Sequence, residues 1–342
     1  LISPSKNDLF GRCFRGEPRD RRVARPLFPS KQILFGGLLL TIAHSIAASL
    51  AFILTLSAPE PPARDAAHDA VARAAAAARA AEAASGAVVG VSAFHLESGS
   101  AASHRGGETF QMASVFKLPV AIAVLDAVEK GRLRLEDAVE IRQEDRRKFG
   151  PLDDEWKPGL KVTIARMLDV MIVSSDNTAV DKLCALLGGP HAAEVTLAAK
   201  GVKGVRISLD EKGMDAAAKR DRRAFERGAA NGASPDAIAA LLARFHRGEL
   251  LSRASTERLR DALRRCATSD HRLRAGLPNG TEVLDKTGTT NSCANDVGIV
   301  TLPGGTHLVL AVLVRGGKDA AAREAAIASV ARAAYEPFAP GP

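Results

Sequence analysis

Aromatic side chains are scarce in this 342-residue chain: one Trp, one Tyr and twelve Phe make up 4% of it. Those few rings are not interleaved with basic residues, so nucleic-acid binding has little support. Cysteine is sparse as well. Cys13, Cys184, Cys266 and Cys293 show no C-x-x-C spacing and no nearby His pair, so zinc is not expected and no cofactor is called for. A one-signed charge is also largely missing outside the first residues. Of the formal net charge of +8, residues 1–32 supply +5, with eight Lys/Arg against Asp8, Glu17 and Asp20, and the rest of the chain carries only +3. That balance gives no hint of an acidic partner.

The basic segment runs into an apolar stretch of 26 residues, 33–58, followed by Pro59-Glu60-Pro61-Pro62. A positive region, an apolar run and small residues after it describe an export signal or an uncleaved membrane anchor. The run is long enough to span a bilayer. Leu56-Ser57-Ala58 offers small residues for cleavage, although Pro59 follows directly, and Arg21-Arg22 matches twin-arginine export only weakly. Residues 1–58 are therefore read as an export segment that is cleaved or serves as a tether. Cys13 falls within it, which leaves three cysteines and room for at most one disulfide in the remainder.

Residues 63–84 are rich in Ala and poor in apolar bulk, the composition of a helix that docks loosely. Ala87–Phe94 reads as a strand, Glu97-Ser98-Gly99-Ser100 as a turn and Ala101–Arg105 as the returning strand. The polar run 144–151 is a surface loop. Thr163 caps an amphipathic helix that ends at Ser174-Ser175-Asp176-Asn177, and helical spacing then continues to Gly188-Gly189-Pro190. Residues 205–233 are charged and irregular. Ser234-Pro235 opens another helix and a further one covers about 254–265. Thr281–Thr287, Asp296–Leu302 and His307–Val314 read as strands, with Leu302-Pro303-Gly304-Gly305 as a hairpin turn, and an Ala-rich helix spans about 319–335. Strands at both ends and helices between them give an α+β class. The implied fold is two-lobed: a five-stranded antiparallel sheet built from both chain ends and flanked by helices, with an inserted all-α lobe.

Met112-Ala113-Ser114-Val115-Phe116-Lys117 opens an apolar helix that continues to Gly131. Residues three apart share a helix face, so the Ser114 hydroxyl and the Lys117 amine can meet at its start. A serine needs an adjacent base to become a nucleophile, and burial in an apolar helix lowers the proton affinity of a lysine. Alone the pair is weak, because S-x-x-K is common by chance. Two further triplets accompany it: Ser175-Asp176-Asn177 at a helix end, and Lys286-Thr287-Gly288 on the first C-terminal strand.

In this order the set S-x-x-K, S-D-N, K-T-G resembles that of class A serine β-lactamases and of penicillin-binding proteins, over about residues 63–338. The resemblance implies a sheet lobe at about 63–108 and 253–342 and a helical lobe at about 109–252 within a catalytic domain 63–342. It implies hydrolysis of β-lactams through an acyl-serine. Ser114 would be the nucleophile, Lys117 its base or its electrostatic partner, and Ser175 with Lys286 the route of a proton to the leaving nitrogen. Asn177 would hold the substrate's side-chain amide and Thr287 its carboxylate. The N–H groups of Ser114 and of Thr289, just past Gly288, would form the oxyanion hole. Glu211, 36 residues after Ser175, would activate the deacylating water.

The flanks of Glu211 depart from the family's common E-P-x-L-N, with Lys212, Met214 and Asp215 at the Pro, Leu and Asn positions, and Leu209 stands where an arginine often anchors the loop. Asp210 competes for the same role. Arg272, fourteen residues before Lys286, would bind the substrate carboxylate, and Phe149, 35 after Ser114, would sit at the pocket mouth. Ala113 in place of Cys excludes an active-site disulfide there. The resemblance implies an exported, periplasmic monomer without metal, with a small-molecule β-lactam as its partner. A D,D-peptidase or esterase shares the three motifs without needing Glu211, and a non-hydrolytic β-lactam sensor would acylate and stop.

Overall fold

The computed structural model describes residues 64–339. The export segment read at 1–58 lies outside them. Helix α1 (Arg64–Ser85) leads into β1 (Ala87–His95) and β2 (Ala101–His104), and then into the short β3 (Phe110–Gln111). The other lobe holds α2 (Lys117–Glu129), β4 (Ala138–Glu140), α3 (Pro151–Asp154), β5 (Lys161–Thr163), α4 (Ile164–Val173), α5 (Asn177–Leu186) and α6 (His191–Ala199). It continues through β6 (Val205–Ile207), α7 (Glu211–Arg220), α8 (Arg222–Glu226), β7 (Asn231–Ala233) and α9 (Pro235–His246). Helix α10 (Arg253–Arg264) returns the chain to β8 (Val283–Thr289), β9 (Cys293–Thr301), β10 (His307–Gly316) and α11 (Ala320–Tyr335).

The main sheet has the order β2-β1-β10-β9-β8, antiparallel throughout, with β1 from the N-terminal part beside β10 from the C-terminal part. Strands β9 and β10 are buried along nearly their whole length, because helices cover both faces of the sheet. Helices α1 and α11 lie on one face and α9 on the other. The turn between β9 and β10 is closed by Gly304 and Gly305 at φ +85° and +79°, the left-handed pair that a tight hairpin requires.

Two expectations fail here. Helix α1 is no loose appendage: Ala67, Ala70, Val71, Ala74 and Ala78 are all fully buried, on a stripe with helical spacing. Small side chains let its axis approach β1 and α11 closely, so scarcity of apolar bulk signals close packing here. The inserted lobe is also not all-α. It contains the pair β4–β5 and a three-stranded sheet β3-β7-β6, with strands of two or three residues, too short to show a period of two. The stretch 205–233, read as irregular, carries β6, α7, α8 and β7. Helix α7 buries only Met214 and Ala217, so it has almost no apolar stripe to reveal it.

Capping follows the sequence more closely. Thr163 accepts from Arg166 N–H and Ser234 from Ala237 N–H, as read. Among the described residues no helix is long and apolar enough to cross a membrane.

Candidate active site

Ser114 lies in a single 3-10 turn, Ala113–Phe116, that passes directly into α2. Ala113 adopts φ +46°, a conformation costly for a residue with a Cβ, and this sharp entry presents Ser114 at the junction of the lobes. Strand β8 presses against the same turn. A Cβ on Gly288 would stand 2.4 Å from the Met112 carbonyl oxygen and 3.1 Å from the Val115 nitrogen, so the third residue of the K-T-G triplet is fixed by close backbone approach.

Helix α2 is buried from Lys117 to Ala127, and its apolar surroundings bury Lys117 completely. The Lys117 Nζ has five oxygens in reach: Ser114 Oγ at 2.9 Å, Asn177 Oδ1 at 2.6 Å, the Ser175 carbonyl at 2.8 Å, Ser175 Oγ at 3.3 Å and Glu211 Oε1 at 3.2 Å. Burial pushes the pKa of Lys117 below the usual lysine range, and Glu211 works against that shift. Lys286, also fully buried, donates to Ser175 Oγ at 3.1 Å and to the Thr287 carbonyl at 2.9 Å. Burial, and then repulsion from Lys117, lower its pKa to about 8.

The S-D-N triplet spans the break between α4 and α5. Ser175 takes φ +59°, which turns its hydroxyl toward both lysines. Asp176 points away from the cavity. Its side chain caps α5 through Ala179 N–H at 2.7 Å and holds Leu152 N–H at 2.8 Å. Asn177 receives Lys117 on Oδ1 and donates from Nδ2 to the Lys148 carbonyl at 3.0 Å. That carbonyl belongs to the loop bearing Phe149, which is 80% exposed at φ +70° and lines the cavity mouth.

Glu211 is the first residue of α7. Asp210, its competitor, is engaged as the helix cap, accepting from Gly213 N–H at 2.8 Å. Sequence reasoning missed what holds this helix start in place. Asp181 on α5 accepts the Glu211 N–H at 2.7 Å and the Lys212 N–H at 3.3 Å, and is paired with Arg147 at 2.7 Å. Burial pushes the Asp181 carboxyl up to about 6. Its spacing, one helical turn beyond Asn177, was the available clue.

These elements enclose a cavity of about 800 Å³ lined by Ser114, Ser175, Asn177, Glu211, Thr287 and Thr289. Lys117 and Lys286 stand directly behind it. Arg272 is placed differently from expectation. Only 4% exposed, it does not line the cavity: its guanidinium donates to the carbonyls of Gly288 and Asn295 and to Thr289 Oγ1 at 2.7 Å, and pairs with Glu324. Thr268, for which no motif or spacing offered a signal, does line it. Cys184, Cys266 and Cys293 are free thiols. Among the described residues no cluster of His, Cys, Asp or Glu could hold a metal ion.

A cavity-facing serine on a buried lysine, backed by a second serine and a second lysine on an α+β two-lobed fold, defines a serine hydrolase that works through an acyl-enzyme. Comparison with known proteins narrows the class. The Beta-lactamase enzyme family matches residues 72–338. The extended-spectrum β-lactamase PER-1 of Pseudomonas aeruginosa is 33% identical, over 67% of this chain and 75% of its own. β-Lactamase L2 of Stenotrophomonas maltophilia is 33% identical over 80% of this chain and 88% of its own. The crystal structure of a β-lactamase from Chitinophaga pinensis superposes with a TM-score of 0.71 at 33% identity, covering 76% of this chain and 97% of that one. The chain belongs to the β-lactamase enzyme family, and within it to the class A serine hydrolases.

Proposed function

We propose that this chain opens β-lactams through an acyl-serine intermediate formed on Ser114 and released by water activated at Glu211. One observation carries the reading: the Lys117 amine lies within 3.3 Å of Ser114 Oγ, Ser175 Oγ and Glu211 Oε1 at once. A single nitrogen thus connects nucleophile, leaving-group donor and deacylation base.

In acylation Ser114 Oγ bonds to the lactam carbonyl carbon, and its proton moves to the unprotonated Lys117 amine, whose lowered pKa favours that form. The N–H groups of Ser114 and Thr289 receive the developing oxyanion. The C–N bond then breaks as Ser175, next to both lysines, delivers its proton to the lactam nitrogen and takes up the proton that Lys117 accepted from Ser114. Asn177 holds the substrate's side-chain amide. Thr287, Thr289 and the Lys286 charge receive its carboxylate, and Arg272 acts through the Thr289 hydroxyl that it touches. Phe149 packs at the mouth. In deacylation a water gives its proton to Glu211 and its oxygen to the acyl carbon, and Ser114 Oγ leaves with that proton, returned from Glu211 through the Lys117 amine that reaches both. Every step is taken by side chains and water, so the reading calls on no cofactor.

In the same reading 1–58 directs export and 63–342 is the catalytic unit, working as a periplasmic monomer. The test is burst kinetics with a chromogenic cephalosporin followed by intact-mass analysis. Sustained turnover is expected, and Ser114→Ala should form no adduct. A covalent adduct on that variant would put the nucleophile elsewhere, and a stoichiometric burst without turnover would favour a penicillin-binding protein or sensor.

A further inference from the structure

With the Arg272 guanidinium committed to two carbonyls, Glu324 and Thr289, recognition of a substrate carboxylate falls to hydroxyl groups and Lys286. Two of those hydroxyls touch. Thr268 Oγ1 lies 2.5 Å from Thr287 Oγ1, and both residues line the cavity. Each hydroxyl has one proton, so one proton sits between the two oxygens and one is left to point elsewhere. Which one is left depends on the neighbours. On the far side of Thr268, Cys266 Sγ lies 3.4 Å from its Oγ1. The thiol is buried, and burial together with Asp285 raises its pKa, so it keeps its proton, with the Asp285 carboxyl and Thr268 both beside it.

We propose that Thr268 is a positioning residue for substrate: it donates to Thr287 and so turns the Thr287 hydroxyl proton onto the carboxylate of the β-lactam nucleus. The inference rests on the reading of Thr287 as a carboxylate ligand. In this arrangement Thr268 donates to Thr287 and Thr287 to the anion. Both protons point the same way, and the first bond polarises the second. A carboxylate offers only acceptors, so its arrival selects this direction over the reverse one. Thr268 is itself exposed and lies outside helix and strand, so replacing it alters the chain of donors with little effect on the core.

The experiment compares nitrocefin with the methyl ester of its carboxylate on the full chain and on three variants. Thr268→Val should lower kcat/KM for the free acid about tenfold, which corresponds to about 1.4 kcal/mol and is mainly a rise in KM. It should change the ester less than twofold, and Thr268→Ser should restore the acid to within twofold of the parent. Equal losses on acid and ester would make Thr268 merely structural and overturn the proposal, as would no loss on either. Thr287→Val separates the two levels. If it abolishes the preference for acid over ester while Thr268→Val leaves that preference intact, only the Thr268 inference fails. If Thr287→Val leaves the preference intact, the reading of Thr287 fails first.

Discussion

Replacing Asp181 by Asn tests whether the clamp on the Glu211 helix is held at an energetic cost. Asp181 is nearly buried, accepts two backbone N–H groups from the start of α7 and faces Arg147, yet burial still pushes its carboxyl up to about 6. Its unfolded value is close to 3.8. The folded state therefore binds the proton more tightly than the unfolded state, and the ionised form works against folding. The penalty begins near pH 4, grows to pH 6 and is complete above it. A difference of about two units corresponds to about 3 kcal/mol at neutral pH.

Asparagine keeps an oxygen for the Glu211 N–H and removes the charge. It also leaves Arg147 without its partner, which offsets about 1–2 kcal/mol of the gain. The net expectation at pH 7.5 is about 1–2 kcal/mol of added stability, a rise in Tm of about 2–6 °C for a domain of this size. The gain should shrink as pH falls through 6 and turn into a loss of about 1–2 kcal/mol near pH 4, where the parent carboxyl is protonated when folded. Thermal melts across pH 4–8 measure it. A lower Tm at pH 7.5, or a difference independent of pH, would refute the reasoning.

Glu211→Gln should acylate normally and slow deacylation by about 10²–10⁴-fold, seen as an acyl adduct in intact-mass spectra; wild-type turnover would remove Glu211 from its role. Because Lys286 has a pKa near 8 and binds anionic substrate in its charged form, kcat/KM should fall on the alkaline side with an apparent pKa close to that value. Lys286→Arg should move the alkaline limb beyond the accessible range, and a limb unchanged in that variant would assign it to another group. Away from the site, the His246 ring lies 4.2 Å from that of His307 and beside Arg260, and burial lowers its pKa to about 4. A histidine held neutral in the fold binds its proton first when unfolded, so stability should be lost as pH falls from 6.5 toward 4. His246→Gln should flatten that part of the stability profile, and an unchanged slope in urea titrations would contradict the assignment.

The sequence by itself determined the chemistry and its order along the chain. Ser114 and Lys117 could be paired because three residues on a helix return to one face, and α2 announces itself by an apolar run long enough to bury the lysine. The main sheet was legible for a similar local reason: its strands are long, apolar and punctuated by Gly-rich turns. The short strands of the second lobe and the polar helix α7 left no such period, so they went unread.

Only the tertiary structure decided which polar groups face the cavity. Asp210 and Glu211 are adjacent in sequence, and the helix start assigns one to capping and the other to Lys117. Arg272 has the spacing of a substrate ligand, yet its charge is neutralised behind β8 by Glu324 and by carbonyls from distant segments. Thr268 and Asp181 acquire their places through contacts 19 and 30 residues away. Local periodicity reports where a side chain leaves its own element. What it meets there depends on how separate elements pack, and a linear pattern does not carry that information.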